Sequence, residues 1–339
     1  VRKTATIFEI AKRAGVTNAT VSRALRRSPL VKEATRDRVL RIANELNYRI
    51  STAGRGLATG RTQTIGLVTP SLRYPLNAEM AEEVQKVLGE MNYGLLVASL
   101  DNQDELAVAR LRMFSEHCVD GIILQPTMSN KDVSCIEMIR QYQIPFVVSA
   151  DVPEYDVPFA SFDNYDGLQR LTRHVLDQGY RCPALITSWP SITGVQRQTQ
   201  AFGDVMAERG QAGISYPIIH QEQFDVNSII ASVESVMKGP APVDCLIITD
   251  CVVMMHACLY LRGRGIRVGS EIGLAAAEDA AWFHESGLSI TCLRFPMRQV
   301  AQTLVTMLQR RIEDPKSHKE AVYIKAEMLC RSSTRRTQS

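Results

Sequence analysis

Cysteine pairing motifs, a membrane-length apolar run and a phosphate-binding glycine loop are all missing from these 339 residues. The eight cysteines (118, 135, 182, 245, 251, 258, 292 and 330) form no C-x-x-C pair and no Cys/His cluster at zinc-finger spacing. Their scatter through apolar segments predicts buried free thiols in a reducing compartment, with no metal and no cofactor. The longest apolar stretch, Cys245 to Leu261, is broken by Asp250 and His256, so strand, loop and helix suit it better than a membrane span. No apolar leader opens the sequence, and a cytoplasmic protein without a membrane partner is expected. There is no G-x-x-x-x-G-K-[ST] loop and no G-x-S-x-G elbow. The glycine-rich GRGLATG and RGRGIRVG segments lack the strand-to-helix setting of a dinucleotide turn, and His174 with Asp177 reads as a surface pair. No enzymatic constellation emerges.

What is present is a charge division. Residues 1–62 hold 14 Lys and Arg against 4 Asp and Glu, a net of +10; the remaining 25 against 32 leave the rest at −7. A basic head on a mildly acidic body points to a polyanion partner for the head alone. A disordered basic tail would show the same imbalance, so periodicity has to decide.

Ile7, Ile10, Ala11 and Ala14 recur at helical spacing, and Thr6 with Glu9 supplies a T-x-x-E capping box. Gly15 breaks that helix, and Thr17 can cap a second one carrying Val21 and Leu25 inward. A third stripe, Val39, Ile42, Ala43 and Leu46, closes a three-helix core. This is the pattern of a helix-turn-helix, whose second helix enters the major groove of DNA. Acidic residues are absent from 10 to 32, whereas a merely solvated face would mix signs.

From residue 64 short apolar runs alternate with helix-length amphipathic stretches. TIGLVT, YGLLVAS, DGIILQ and PFVVSA form one set; PALITS, SYPIIH, VDCLIIT and EIGLAAA form a second. Buried runs alternating with helices predict two doubly wound parallel-sheet subdomains, with a ligand cleft at the strands' carboxyl ends. The expected fold is a small all-α helix-turn-helix headpiece plus an α/β body.

The chain resembles the LacI/GalR family of bacterial transcription regulators over residues 4–333, nearly its full length. The carriers are AGVTNATVSRAL, ELNYR, the L-x-TGRT-x-x-IGLV junction, VDGIIL, IPFVV, FDNYDG and MLCRSS. The resemblance implies a headpiece at 1–48, a hinge at 49–62 and a periplasmic-binding-protein-like body at 63–339. Within the body, one subdomain takes about 63–162 and 293–322, the other about 163–291 and 323–339. It also implies a repressor-type homodimer on a palindromic double-stranded operator, answering to a small-molecule effector. A free sugar-binding protein would lack the basic head, and an α/β enzyme would need the constellation missing above.

By position in the family, Asn18, Ala19 and Arg23 would face base edges, while Thr6, Thr17, Thr20 and Ser22 hold phosphates. Arg55 and Leu57 of the hinge would also meet DNA, Leu57 as a minor-groove wedge. Gly54 and Gly56 flank Arg55, so this hinge helix should form reluctantly. The implied effector residues are Ser71, Leu76, Asn77, Gln198, Phe224, Asp250 and Glu278. Gln198 stands where many relatives carry an effector-gripping arginine, and Arg197 would point about 100° away on a helix. Glutamine offers no charge to an anion, which favours a neutral sugar or polyol.

Overall fold

The computed structural model describes residues 5–25, 28–46, 48, 61–100, 105–126, 132–152, 155–209, 216–285 and 289–336. Arg55, Leu57 and the two hinge glycines lie outside them. The chain divides into two units, Val1–Thr62 and Gln63–Ser339.

In the first unit α1 (Ile7–Ala14), α2 (Asn18–Leu25) and α3 (Glu33–Glu45) enclose a small core. Eight-residue helices are marginal alone, so tertiary burial must hold them. Ile10, Ala11, Ala14, Val21, Ala24, Val31, Val39 and Ala43 supply it, with Leu25, Ile42 and Leu46 partly covered. Thr6 Oγ1 accepts the Glu9 N–H at 3.4 Å, one arm of the expected capping box. Gly15 ends α1 in the left-handed region at φ 62°, where a β-carbon would be strained.

The second unit contains two six-stranded sheets. The first joins β1 (Thr64–Thr69), β2 (Gly94–Ser99), β3 (Gly121–Leu124), β4 (Phe146–Val148), β5 (Phe159–Phe162) and β11 (Ala321–Ile324) in the order β11-β5-β4-β3-β1-β2, all parallel. The second joins β6 (Pro183–Thr187), β7 (Ile218–His220), β8 (Cys245–Ile248), β9 (Gly273–Ala276), β10 (Thr291–Arg294) and β12 (Glu327–Leu329) in the order β12-β10-β9-β8-β6-β7. Only β12 runs antiparallel to its neighbour. β3, β4, β6, β8 and β9 are buried along their whole length, as parallel strands covered on both faces must be.

The intervening helices are α4 (Pro75–Glu90), α5 (Glu105–Glu116), α6 (Asp132–Gln141), α7 (Asn164–Asp177), α8 (Thr193–Glu208), α9 (Val226–Met237), α10 (Cys251–Gly263), α11 (Trp282–Glu285) and α12 (Met297–Glu313). After β10 the chain returns to the first subdomain, where α12 packs on α4, β3, β4 and β5. It therefore passes between subdomains three times: after β5, after β10, and between β11 and β12. The first two passages touch, since Phe162 stacks on Phe295 with centroids 3.8 Å apart. The third is tied to α7 by Arg170, which donates to the Ala326 carbonyl at 2.6 Å, and by Lys325 on Asp166 at 3.0 Å.

All eight cysteines are unpaired, and five are buried; Cys118 and Cys330 are exposed and Cys182 is half-covered, against the expectation of burial throughout. Among the described residues no helix is long and apolar enough to cross a membrane, and no His/Cys/Asp/Glu group could hold a metal ion.

Candidate DNA-reading helix and effector cleft

Helix α2 has its apolar side fixed by Val21 and Ala24, which leaves Ala19 and Arg23, one turn apart, exposed together. Asn18, Thr20 and Ser22 are half-buried beside them. Thr17 Oγ1 accepts the Thr20 N–H at 3.2 Å and lies 2.9 Å from the Thr20 hydroxyl, so these two side chains start the helix. Phe8 and Leu30 are large apolar residues left open to solvent on the same unit.

In the body, loops at the carboxyl ends of both sheets enclose a cavity of about 230 Å³. Leu76, Asn77, Gln198, Asp250 and Glu278 all line it, brought from four separate segments. Ser71 does not; its carbonyl accepts the Asn77 side-chain amide at 3.0 Å and so holds a wall residue in place. Phe224 is not among the lining residues either: it stacks on Trp189, centroids 4.8 Å apart, the residue that follows the lining Ser188 in sequence. Sequence reasoning missed Tyr74, Gln125, Asn164 and Thr249 as wall residues. A polar residue closing an apolar strand run, as Gln125 closes DGIIL, was the available signal.

The two carboxylates stand at the ends of β8 and β9. Asp250 caps α10, accepting the Val252 and Val253 N–H groups at 2.8 and 3.0 Å. Glu278 Oε2 accepts the Cys251 N–H at 3.1 Å and, from the other subdomain, the Tyr74 hydroxyl at 2.5 Å. The Asp250 charge also acts on Tyr74, but the one phenol proton goes to Glu278. Burial first, and the Asp250 charge second, push Glu278 up to about 8. Burial likewise raises Asp250 against its two backbone donors, and burial with the Glu278 charge raises Tyr74. The pair thus keeps a proton well above the usual carboxylate range.

This has a measurable consequence. The folded value of Glu278 lies above its unfolded value of about 4.3, so its stabilising contribution is complete below that pH and is lost as pH rises through about 8. Relative to Glu278→Gln, the native protein should lose stability between about pH 5 and pH 8, by at most about 1.4 kcal/mol per pH unit. Paired urea titrations across that range check it; a constant difference would mean Glu278 titrates as an ordinary carboxylate.

Gln198 is buried and its amide donates to Asn164 Oδ1 at 3.1 Å. Arg197 turns out of the cavity, with Nε 2.6 Å from Asp151 and Nη2 donating to the Tyr323 hydroxyl at 2.8 Å. The wall therefore contains no cationic side chain among the described residues.

Residues 6–51 match the family of bacterial regulatory proteins, lacI family, and residues 62–330 match the periplasmic binding proteins and sugar binding domain of the LacI family. Among curated proteins, the HTH-type transcriptional regulator PtxS of Pseudomonas aeruginosa is 27% identical, covering 97% of this chain and 95% of that protein. DegA, an HTH-type transcriptional regulator of Bacillus subtilis, is 25% identical over 97% of this chain and 98% of its own length. Of solved structures, the lac repressor dimer bound to operator and the anti-inducer ONPF superposes with a TM-score of 0.86 at 18% identity, covering 98% of this chain and 99% of that one. The transcriptional regulator CelR–cellobiose complex gives 0.70 at 22% identity, covering 97% and 99%. These structural likenesses establish a shared fold.

Proposed function

The chain belongs to the LacI family of bacterial regulatory proteins, and from that premise we propose that it is a repressor that binds a palindromic operator as a homodimer and answers to a sugar or polyol in the body cleft. It is a DNA-binding transcription regulator with a sugar-binding-like body, as its relatives are regulators and not enzymes. In this reading residues 1–48 are the headpiece, 49–62 the hinge that carries Arg55 and Leu57 to DNA, and 63–339 the effector-binding and dimerisation body.

The observation that carries the DNA reading is α2, which offers Ala19 and Arg23 outward on a unit whose helical face has no acidic residue from 10 to 32. Arginine can pair with guanine through two hydrogen bonds, and the alanine methyl can meet thymine. Two copies related by a two-fold axis would read the two halves of a palindrome. Support for the homodimer comes from α10: Val253, Met254 and Ala257 face the core, while Met255 is only partly covered and Leu259 is 58% exposed. The lac repressor of similar fold was crystallised as a dimer on its operator. A neutral ligand is supported by a cleft wall whose polar groups are amides, hydroxyls and two acidic side chains without a cation, set among apolar residues such as Phe162 and Met297.

Arg23→Ala tests the reading. It should cost about 1–3 kcal/mol on the cognate operator and far less on random-sequence DNA, because a base-reading group is lost. Equal losses on both DNAs, measured by fluorescence anisotropy at one salt concentration, would make Arg23 a phosphate contact only.

A further inference from the structure

We propose that Gln63 is the positioning residue that makes the protein accept operator half-sites of one spacing: its left-handed backbone torsion, clamped by Asp120 and Gly94, fixes the direction in which the chain enters the body. This rests on the homodimer and hinge readings above and adds the residue through which the spacing is set.

Three observations point there. The first is the torsion itself. Gln63 has φ 55°, in a region that residues other than glycine rarely adopt. Asn92, Cys118 and Gln143 share it, but each lies just past the end of a helix (α4, α5 and α6), where a left-handed residue is an ordinary terminator. Gln63 instead stands one residue before β1, at the point where the second unit begins. The second observation is the clamp. Asp120 Oδ2 accepts the Gln63 N–H at 2.9 Å, and the Gln63 carbonyl accepts the Gly94 N–H at 2.8 Å. Asp120 also donates its own N–H to the Thr64 carbonyl at 2.8 Å, so it grips two successive residues. A residue held off its preferred torsion persists only where its neighbours over-determine it, and here both backbone polar groups of Gln63 are engaged.

The third observation is the base on which the clamp stands. β1 lies between β2 and β3, and five of its six residues are buried. Gly94 opens β2 and Asp120 leads directly into β3, so the clamp is anchored on three adjoining strands of a packed sheet. Packed interiors yield little, and the torsion at Gln63 inherits that rigidity. In a two-fold dimer each body would deliver one head, and half-site spacing follows from the geometry of that delivery. Each inserted base pair turns one half-site by roughly 35° relative to the other. A fixed entry direction makes that turn costly, and a loose one does not.

The test uses the full-length chain and a palindrome selected by that chain from random-sequence DNA, without and with one or two base pairs inserted at its centre, beside a single half-site. Two linked heads bind about 10²–10⁴ more tightly than one, so two inserted base pairs should cost the native chain about a hundredfold. Gln63→Gly accepts a left-handed torsion without strain and should keep this profile. Gln63→Val resists that torsion, and its preference for the native spacing should fall about tenfold or more, or its optimum should move to another spacing. Asp120→Ala should behave as Gln63→Val does, while Asp120→Asn, whose amide oxygen can still accept the Gln63 N–H, should behave as the native chain. Half-site affinity should stay level in all four variants. Their melting transitions report folding, and if Gln63→Val is unfolded the Asp120 pair decides. Native profiles in Gln63→Val and Asp120→Ala would overturn the proposal. So would a loss in Gln63→Gly, which would place the effect in the side chain and not in the backbone. A native chain that binds every spacing alike, or the half-site as tightly as the palindrome, would overturn the homodimer reading and the proposal with it.

Discussion

A chain starting at Gln63 should lose salt-dependent operator binding altogether while keeping its ligand-induced rise in melting temperature. The charge division makes the effect large: the removed segment carries a net +10 and what remains carries −7. Binding driven by counterion release falls steeply with salt, with a slope of about −0.9 per phosphate neutralised, and an acidic body has nothing to replace that term. Specific binding typically exceeds non-specific binding by about 10³–10⁷, so losing the base-reading helix and the basic face together takes affinity below the non-specific level. The body should survive the cut because it is a unit of its own, with cores that take no residue from the head. The head's core in turn draws on no residue beyond Tyr48. Anisotropy titrations at about 50 and 200 mM salt with full-length and shortened chains decide it. Specific, salt-sensitive binding by the shortened chain would mean that the helix-turn-helix is misread.

The head was legible in the sequence because its signals are local. Thr6, Gly15 and Thr17 act within one turn of where they sit, and the stripe from Ile7 to Ala14 shares a single face. One inward position shifted, with Ala24 buried where Leu25 is only partly so. The eight apolar runs of the body likewise became strands, because most are buried on both faces and admit few polar residues. β11 and β12 escaped notice for the opposite reason, whereas β5 and β10 are mostly buried but offer only the short runs FASF and TCLR, broken by polar residues. β11 is a largely exposed edge strand set among His318, Lys319, Glu320 and Lys325, and its sheet is decided by a crossing that leaves no local trace. The cleft shows the same divide. Asp250 and Glu278 follow strands that could be read from the chain, whereas Tyr74 reaches Glu278 across 204 residues of sequence. A tyrosine before a proline reads as a turn; its reach over the cleft exists only once both sheets are built. Phe224, expected over the ligand, stacks on Trp189.

Replacing Arg197 by alanine should destabilise the body more than the exposure of that arginine suggests. Arg197 stands on α8 of the second subdomain, whereas Asp151 follows β4 and Tyr323 lies on β11 of the first. Their cluster therefore bridges the subdomains. Arg197 Nε is 2.6 Å from Asp151 Oδ2, its guanidinium lies 4.8 Å over the Tyr323 ring, and the Tyr323 hydroxyl donates to the same Asp151 oxygen at 2.8 Å. Burial and that carboxylate push Tyr323 up to about 12, so it stays a donor. Asp151 is 5% exposed and its Oδ1 has no partner, which leaves Arg197 as its one cationic contact in this cluster. Removing one member of a buried pair strands the other, at a cost of about 3–5 kcal/mol; partial solvation of the guanidinium places this case at the lower end. Asp151→Asn should then recover much of the loss in the Arg197→Ala background, because the stranded charge is gone. A double-mutant cycle by urea denaturation reads the coupling, expected at 1 kcal/mol or more on the usual scale of about 0.5–3 for residues in contact. Additive effects within about 0.5 kcal/mol would show that the pair is solvated and independent. If the coupling is present, the same variant should weaken ligand binding at the cavity it does not line, since closing the two subdomains on a ligand draws on contacts that span them.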